Sequence, residues 1–181
     1  MEQYPEIPFT IVPGSAGCIA LARSGSYLYT AGGDRLSVYD ISRPDHPKLC
    51  WRRSGFGNGR QLAAAHGRLY LTAREFGLWI LDLADPARPR VISRFDTVEL
   101  ATGIAVAENT VFVTERIYGV EIIDVTDPAR PRHLSLIRTP EAQSAAYSDG
   151  RLYVGDWGVG RLTVIDVRDR SNPQQLSTAE L

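Results

Sequence analysis

The sequence predicts an all-β fold in which four copies of one antiparallel unit follow one another along the chain. In each copy an apolar stretch runs into an aspartate and then into a proline-containing loop. The aspartates are Asp40, Asp82, Asp124 and Asp166, and each lies 42 residues from the next. Fixed periods of roughly 20 to 50 residues are typical of repeat architectures, so this period defines the unit.

Each unit is expected to contain four strands. The first is a stretch of small apolar residues, found at 18–22, 62–65, 103–107 and 144–147. It ends at a pair suited to the positive φ angles of a tight hairpin, namely Ser24-Gly25, His66-Gly67, Glu108-Asn109 and Asp149-Gly150. A second apolar strand follows, and the third strand ends at the aspartate. The fourth, outer strand lies at 49–52, 91–95, 133–137 and 175–178.

Four short antiparallel strands in a repeat of this length are typical of one blade of a β-propeller. The small residues of the first strand suit the crowded propeller axis. Leucine-rich repeats need shorter units, and helical repeats need a 3.6-residue apolar periodicity that these β-branched runs lack. The sequence therefore predicts one propeller domain, or half of a larger propeller, over residues 1–181, with blades at approximately 16–53, 60–95, 101–138 and 143–178.

The second and third units carry a specific motif. The runs WILDLADPARP, from Trp79, and EIIDVTDPARP, from Glu121, join an apolar strand ending in aspartate to a proline-bearing turn. This pattern resembles the LVIVD repeat, and the resemblance extends over about residues 16–177. It is looser in the fourth unit, where Arg170 replaces a proline that the other three units carry. The resemblance implies a propeller fold, but members of that family are rarely assigned a chemistry.

Composition and charge narrow the expected partners. The chain is 44% hydrophobic and 23% charged, and its formal net charge of −1 gives no net attraction to nucleic acid or to an anionic membrane. No signal-like start and no run of about 18 apolar residues occurs, so a cytoplasmic location is expected. Cys18 and Cys50 lie in apolar segments that are expected to bury them as free thiols.

The four evenly spaced aspartates are interpreted as fold residues. Each closes a strand just before a loop, where its carboxylate can accept backbone N–H groups in an Asx turn. A metal needs several oxygen ligands within about 2.6 Å of one point, whereas these four lie in four blades. No metal site and no cofactor are expected, because zinc-ligand spacings, phosphate loops and dinucleotide fingerprints do not occur in the sequence.

Function is expected where the repeats differ, because what every blade shares serves the fold. The repeats differ most in the linker between the second and third strands and in the connections between blades, which share one end of a propeller. We predict that charged, amide and aromatic side chains crowd that end as a small-ligand or peptide pocket. They are Arg60, Arg74, Glu75, Glu115, Arg116, Gln143, Asp156 and Trp157. The alternative is a rim of exposed salt bridges.

The predicted function is a non-enzymatic binding or scaffold module that recognises a small ligand or a protein partner on this face. The alternative is an enzyme acting on a small metabolite in a polar pocket at the channel mouth. The three histidines lie in different parts of the repeat, and no GxSxG or HExxH motif occurs. Carboxylates such as Glu75 and Glu115 are candidates for acid–base work if they face one another.

A count of four units raises the question of how the ends are covered. Unpaired ends of a repeat array are association sites. An extra outer-type strand is predicted at 8–12, although the fourth unit already has one of its own. A homodimer that joins two chains into an eight-bladed ring, or a longer propeller of which this chain is part, is favoured over a closed four-bladed monomer.

Overall fold

A computed structural model describes residues 17–180, which form sixteen β-strands in four antiparallel sheets. Blade 1 comprises β1 (Ala20–Ser24), β2 (Tyr27–Gly32), β3 (Arg35–Asp40) and β4 (Lys48–Ser54). Blade 2 comprises β5 (Gln61–Ala65), β6 (Arg68–Thr72), β7 (Leu78–Asp82) and β8 (Arg90–Phe95). Blade 3 comprises β9 (Gly103–Ala107), β10 (Thr110–Thr114), β11 (Val120–Asp124) and β12 (Arg132–Ile137). Blade 4 comprises β13 (Ala142–Ser148), β14 (Arg151–Asp156), β15 (Arg161–Asp166) and β16 (Gln174–Glu180).

Within every blade the strands pair in chain order, from an inner strand to an outer one. The inner strands of consecutive blades pack on one another, β1 on β5, β5 on β9 and β9 on β13. The predicted β-propeller of four four-stranded blades is therefore confirmed. The extra strand predicted at 8–12 lies outside the described residues. None of residues 17–180 belongs to a helix long and apolar enough to cross a membrane.

Tight turns join the first two strands of each blade. Their first residues have positive φ angles of 56° at Gly25, 51° at His66, 53° at Glu108 and 48° at Asp149. Such angles are required where a two-residue hairpin follows the right-handed twist of its strands. Three of the predicted turn pairs are confirmed, whereas the first turn is Gly25-Ser26, one residue later than predicted, because β1 extends through Ser24.

The strand-end aspartates form Asx turns. The N–H of Ser42 donates to Oδ1 of Asp40 over 2.8 Å, and the N–H of Thr126 donates to Asp124 over the same distance. The other two aspartates accept equivalent bonds over 3.0 Å. The cysteines differ from expectation: both are free, but Cys18 is half-buried and Cys50 is exposed, because β4 is an outer strand with little covering it.

Three apolar cores hold the blades together, and each fills one junction between consecutive blades. The same positions recur at each junction. An aromatic side chain from the second strand, which is Tyr29, Tyr70 or Phe112, points to the next blade and is fully buried. Among residues 17–180 no core cluster joins blade 4 to blade 1, so the described arc has three filled junctions.

Candidate functional site: an arginine cavity on the linker face

One end of the blades carries the linkers between second and third strands together with the connections between blades, and we call it the linker face. A cavity of about 290 Å³ opens there. It is lined by Arg60, Arg74, Thr102, Arg116, Glu141, Gln143 and Trp157. Five of the eight predicted site residues lie in this lining, so the divergent residues of blades 2, 3 and 4 do converge.

Two repeat-equivalent positions supply most of the cavity wall. The first lies at the start of the inner strand and is occupied by Arg60, Thr102 and Gln143 in blades 2, 3 and 4. The second lies in the linker after the second strand, directly after a residue that is buried in each of these blades. It is occupied by Arg74, Arg116 and Trp157. These two positions supply six of the seven residues that line the cavity.

The backbone fixes two of these side chains unusually firmly. Arg74 and Arg116 have φ angles of 41° and 43°, which are uncommon for residues with a side chain. Each forms a two-way bridge to the next blade, with N–O distances of 3.0 and 3.2 Å between Arg74 and Ala101 and of 3.1 and 2.9 Å between Arg116 and Ala142. These bridges stabilise the strained conformation and hold both arginines at the cavity wall.

The cavity carries more positive than negative charge. Arg116 Nη2 lies 3.5 Å from Oε1 of Glu141. Arg60 and Arg74 have no ion pair within residues 17–180, and Nε of Arg74 is buried without a hydrogen-bond partner there. Three partly buried guanidinium groups thus face one carboxylate in the cavity lining, which leaves an excess of positive charge there.

Large apolar side chains are exposed on the same linkers, and one of them, Trp157, lines the cavity. The exposed fraction is 74% for Trp157, 61% for Ile117 and 40% for Phe76. Arg94 lies over the Phe76 ring, with 5.9 Å between its guanidinium carbon and the ring centroid. A ligand bound by the arginines would therefore meet apolar surface around them.

Two predicted site residues turn away from the cavity. Glu115 and Asp156 occupy equivalent positions and are 0% and 1% exposed. Each accepts the backbone N–H of an equivalent glutamate in the connection from the previous blade, Glu99 over 3.2 Å and Glu141 over 3.3 Å. Through these hydrogen bonds the two carboxyl groups anchor the inter-blade connections to the blades. Glu75 is exposed and does not line the cavity either.

A second buried carboxyl lies beside Glu115. Desolvation and the neighbouring Glu121 raise the pKa of Glu115 to about 10, so this group is protonated at neutral pH. Glu121 is 1% exposed, accepts the N–H of Val98 over 3.2 Å and lies 2.7 Å from Nδ1 of His133. Glu75 and Glu115 were predicted as a candidate acid–base pair, but the buried neighbour of Glu115 is Glu121.

Sequence reasoning did not select two cavity residues, Thr102 and Glu141. Thr102 occupies the position equivalent to Arg60, exactly one period further along, so the repeat alignment contains the signal for it. Its hydroxyl donates to Thr114 O over 2.8 Å. Glu141 carries no such signal, because its role at the cavity depends on the salt bridge with Arg116.

The repeated sheets and a cavity formed by their divergent residues define a β-propeller of the binding or scaffold class. The chain belongs to the LVIVD repeat family, whose repeat matches residues 13–52, 57–97, 100–137 and 141–179. No curated protein sequence matches the chain.

Solved structures share the fold at low sequence identity. The computationally designed protein Ika4 superposes with a TM-score of 0.69 at 14% identity, over 86% of this chain and 94% of Ika4. Sqt1 of Saccharomyces cerevisiae gives 0.72 at 12% identity, over 91% of this chain and 48% of Sqt1. A chain of a nidogen/laminin complex gives 0.71 at 17% identity, over 98% and 69%. The chain thus spans nearly all of Ika4 but about half of Sqt1.

Proposed function

We propose that this propeller is a binding module that takes a small anionic ligand, a carboxylate or a phosphate compound, into the arginine cavity. The observation that carries the proposal is the pair Arg60 and Arg74, two guanidinium groups in one cavity without an ion pair among the described residues. Arginine binds carboxylate and phosphate oxygens through two parallel N–H donors, which is the chemistry this wall offers.

The size and the rim of the cavity restrict the ligand further. A volume of about 290 Å³ lies at the small end of ligand pockets, which usually run from about 300 to 1,000 Å³. The ligand is therefore compact. The indole of Trp157 can cover an apolar part of it, while the amide of Gln143 offers both a donor and an acceptor.

Titration calorimetry with inorganic phosphate, succinate and citrate tests the proposal. We expect at least one of the three to bind, and we expect Arg74→Gln to weaken that binding about tenfold or more, because a hydrogen bond to a charged group contributes about 1.5 to 3 kcal/mol. Binding should also weaken with added salt, since screening acts on charge pairs near the surface.

The matched control is Arg88→Gln, which removes one exposed arginine from the loop between β7 and β8, at the opposite end of the blade. It should leave the affinity unchanged. If none of the three anions binds the native chain, or if the two variants behave alike, the proposal is wrong.

A further inference from the structure

The side of blade 4 that is turned away from blade 3 repeats the surface that fills every other junction. Tyr153, Leu162, Val164 and Leu176 occupy the positions that Phe112, Val120, Ile122 and Leu134 occupy in blade 3. The first three of those blade 3 residues are fully buried against blade 4. In blade 4, Tyr153, Leu162 and Val164 are only half-buried, and Leu176 is 53% exposed. We call these four residues the open face.

A hydroxyl-to-carbonyl hydrogen bond accompanies every filled junction. Tyr29 Oη donates to Pro86 O over 3.0 Å from blade 1 to blade 2. Ser93 donates to Pro128 O over 2.6 Å from blade 2 to blade 3, and Ser135 donates to Arg170 O over 2.7 Å from blade 3 to blade 4. The three acceptors are repeat-equivalent and lie in the loops between third and fourth strands, so blades 2, 3 and 4 each present the same carbonyl to the blade before them.

The chain also contains a donor and an acceptor that could form a fourth hydrogen bond of this kind. Ser177 is the blade 4 equivalent of Ser93 and Ser135, and its hydroxyl has no hydrogen-bond partner within residues 17–180. Pro44 is the blade 1 equivalent of the three acceptors. Because blades 4 and 1 of one chain share no core, this donor and this acceptor do not meet within the described part of the molecule.

We infer that the open face binds blade 1 of a second copy of this chain. The Ser177 hydroxyl of one copy donates to Pro44 O of the other, and the four apolar residues of the open face are covered as their equivalents are at the other three junctions. Blade 1 presents a complementary apolar side, on which Leu21 is 61% and Leu49 is 42% exposed. Their equivalents in blade 2, Leu62 and Val91, pack at the junction with blade 1.

A second copy is the occupant because it satisfies both ends at once. Each chain offers one open face and one blade 1, so two chains related by a two-fold axis form two identical junctions and close an eight-bladed ring. Closure leaves no unfilled junction, whereas residues 17–180 of a single chain leave one. The superposition on about half of Sqt1 is consistent with a blade arrangement that continues beyond four blades.

Light scattering on the 181-residue chain, over a range of concentrations, tests the inference. We expect a mass twice the 20.0 kDa of one chain. Leu176→Glu places a charge on the apolar surface of the junction, where the equivalent Leu134 packs against the core of the junction between blades 3 and 4, and should give a monomer, since covering an unpaired charge is strongly unfavourable. As Leu176 is an exposed residue of an outer strand, this variant should keep the circular dichroism spectrum of the native chain.

Ile117→Glu is the matched control, because it adds the same charge at a residue that is 61% exposed on the linker face. It should remain a dimer. A native chain that stays monomeric at all concentrations would overturn the inference. So would a dimer that survives Leu176→Glu, a dimer that Ile117→Glu dissociates equally, or an assembly larger than two chains.

Discussion

At the scale of single residues, Glu115 and Asp156 occupy the same repeat position and make the same hydrogen bond to the backbone, but their carboxyl groups have different neighbours. Both carboxyl groups accept a backbone N–H from the inter-blade connection that precedes their own blade. Asp156 also accepts a bond from the Thr163 hydroxyl over 2.6 Å, whereas Glu115 has Glu121 as its neighbour. Two carboxyl groups in one buried site cannot both ionise readily, so Glu115 holds its proton.

Glu115→Gln should therefore stabilise the protein as pH rises. The pKa of Glu115 is about 10 in the folded chain, against an ordinary value of 4.5 when unfolded. Its contribution is fully present below 4.5 and is lost as pH rises towards 10, because the unfolded state releases the proton first. The amide mimics the protonated form and removes this loss. We expect a gain above about 1 kcal/mol in the free energy of unfolding in urea at pH ~8, and none at pH ~4.

Glu75→Gln provides the comparison, since it changes an exposed acid in the equivalent linker of blade 2. Its stability should follow that of the native chain at every pH. Parallel pH profiles for Glu115→Gln and the native chain would show that the Glu115 carboxyl is ionised in the folded state.

At the scale of the strand and its loop, the aspartate that ends each third strand sets where the loop begins. Asp124 accepts the N–H of Thr126 and lies 2.7 Å from Nη2 of Arg132 in the next strand. Hydrogen bonds from Thr126 and Arg132 lower the pKa of Asp124 to about 2. One carboxylate thus holds the turn, the ion pair and the strand end. The hydrogen bond of the Asx turn is the part of this arrangement that all four aspartates share.

Asp124→Ala should cost about 1 kcal/mol of stability at neutral pH, the usual contribution of such hydrogen bonds. Since the pKa of Asp124 is lowered on folding, this contribution is present above pH ~4 and is lost as pH falls towards 2. Chemical denaturation of both chains at pH ~7 and at pH ~2.5 measures the difference. Asp124→Asn keeps an oxygen for the Thr126 N–H and should lose less; an equal loss in both variants would contradict the Asx role.

At the scale of the whole molecule, the same apolar positions have different surroundings in different blades. Val38 is fully buried at the first junction, whereas its equivalent Val164 lies on the open face and is half-buried. The blades have nearly the same sequence pattern, so this difference comes from their neighbours: among residues 17–180, blades 1, 2 and 3 each pack against a following blade, whereas this side of blade 4 has no core cluster against it.

The equivalent substitutions Val38→Ala and Val164→Ala separate the two environments. In the Leu176→Glu background, where we expect a monomer, Val38→Ala should cost about 2 kcal/mol, because it removes buried methyl groups and leaves a cavity. Val164→Ala should cost less than half as much. Urea unfolding measures both values, and equal losses would mean that the side of blade 4 is covered within one chain.

The sequence by itself determined the period, the four strands of each blade, three of the four tight turns and the Asx role of the aspartates. Each of these depends on contacts within about 15 residues, for which turn chemistry and strand pattern are sufficient. The repeat alignment also predicted that Arg60, Arg74 and Arg116 lie at one end of the blades. The tertiary structure alone decided that Glu115 and Asp156 turn between blades and do not line the cavity with them. It also decided that, among residues 17–180, the outward side of blade 4 is the one of four equivalent blade sides that no other blade covers. These outcomes depend on the neighbouring blade about 42 residues away, which local pattern does not specify.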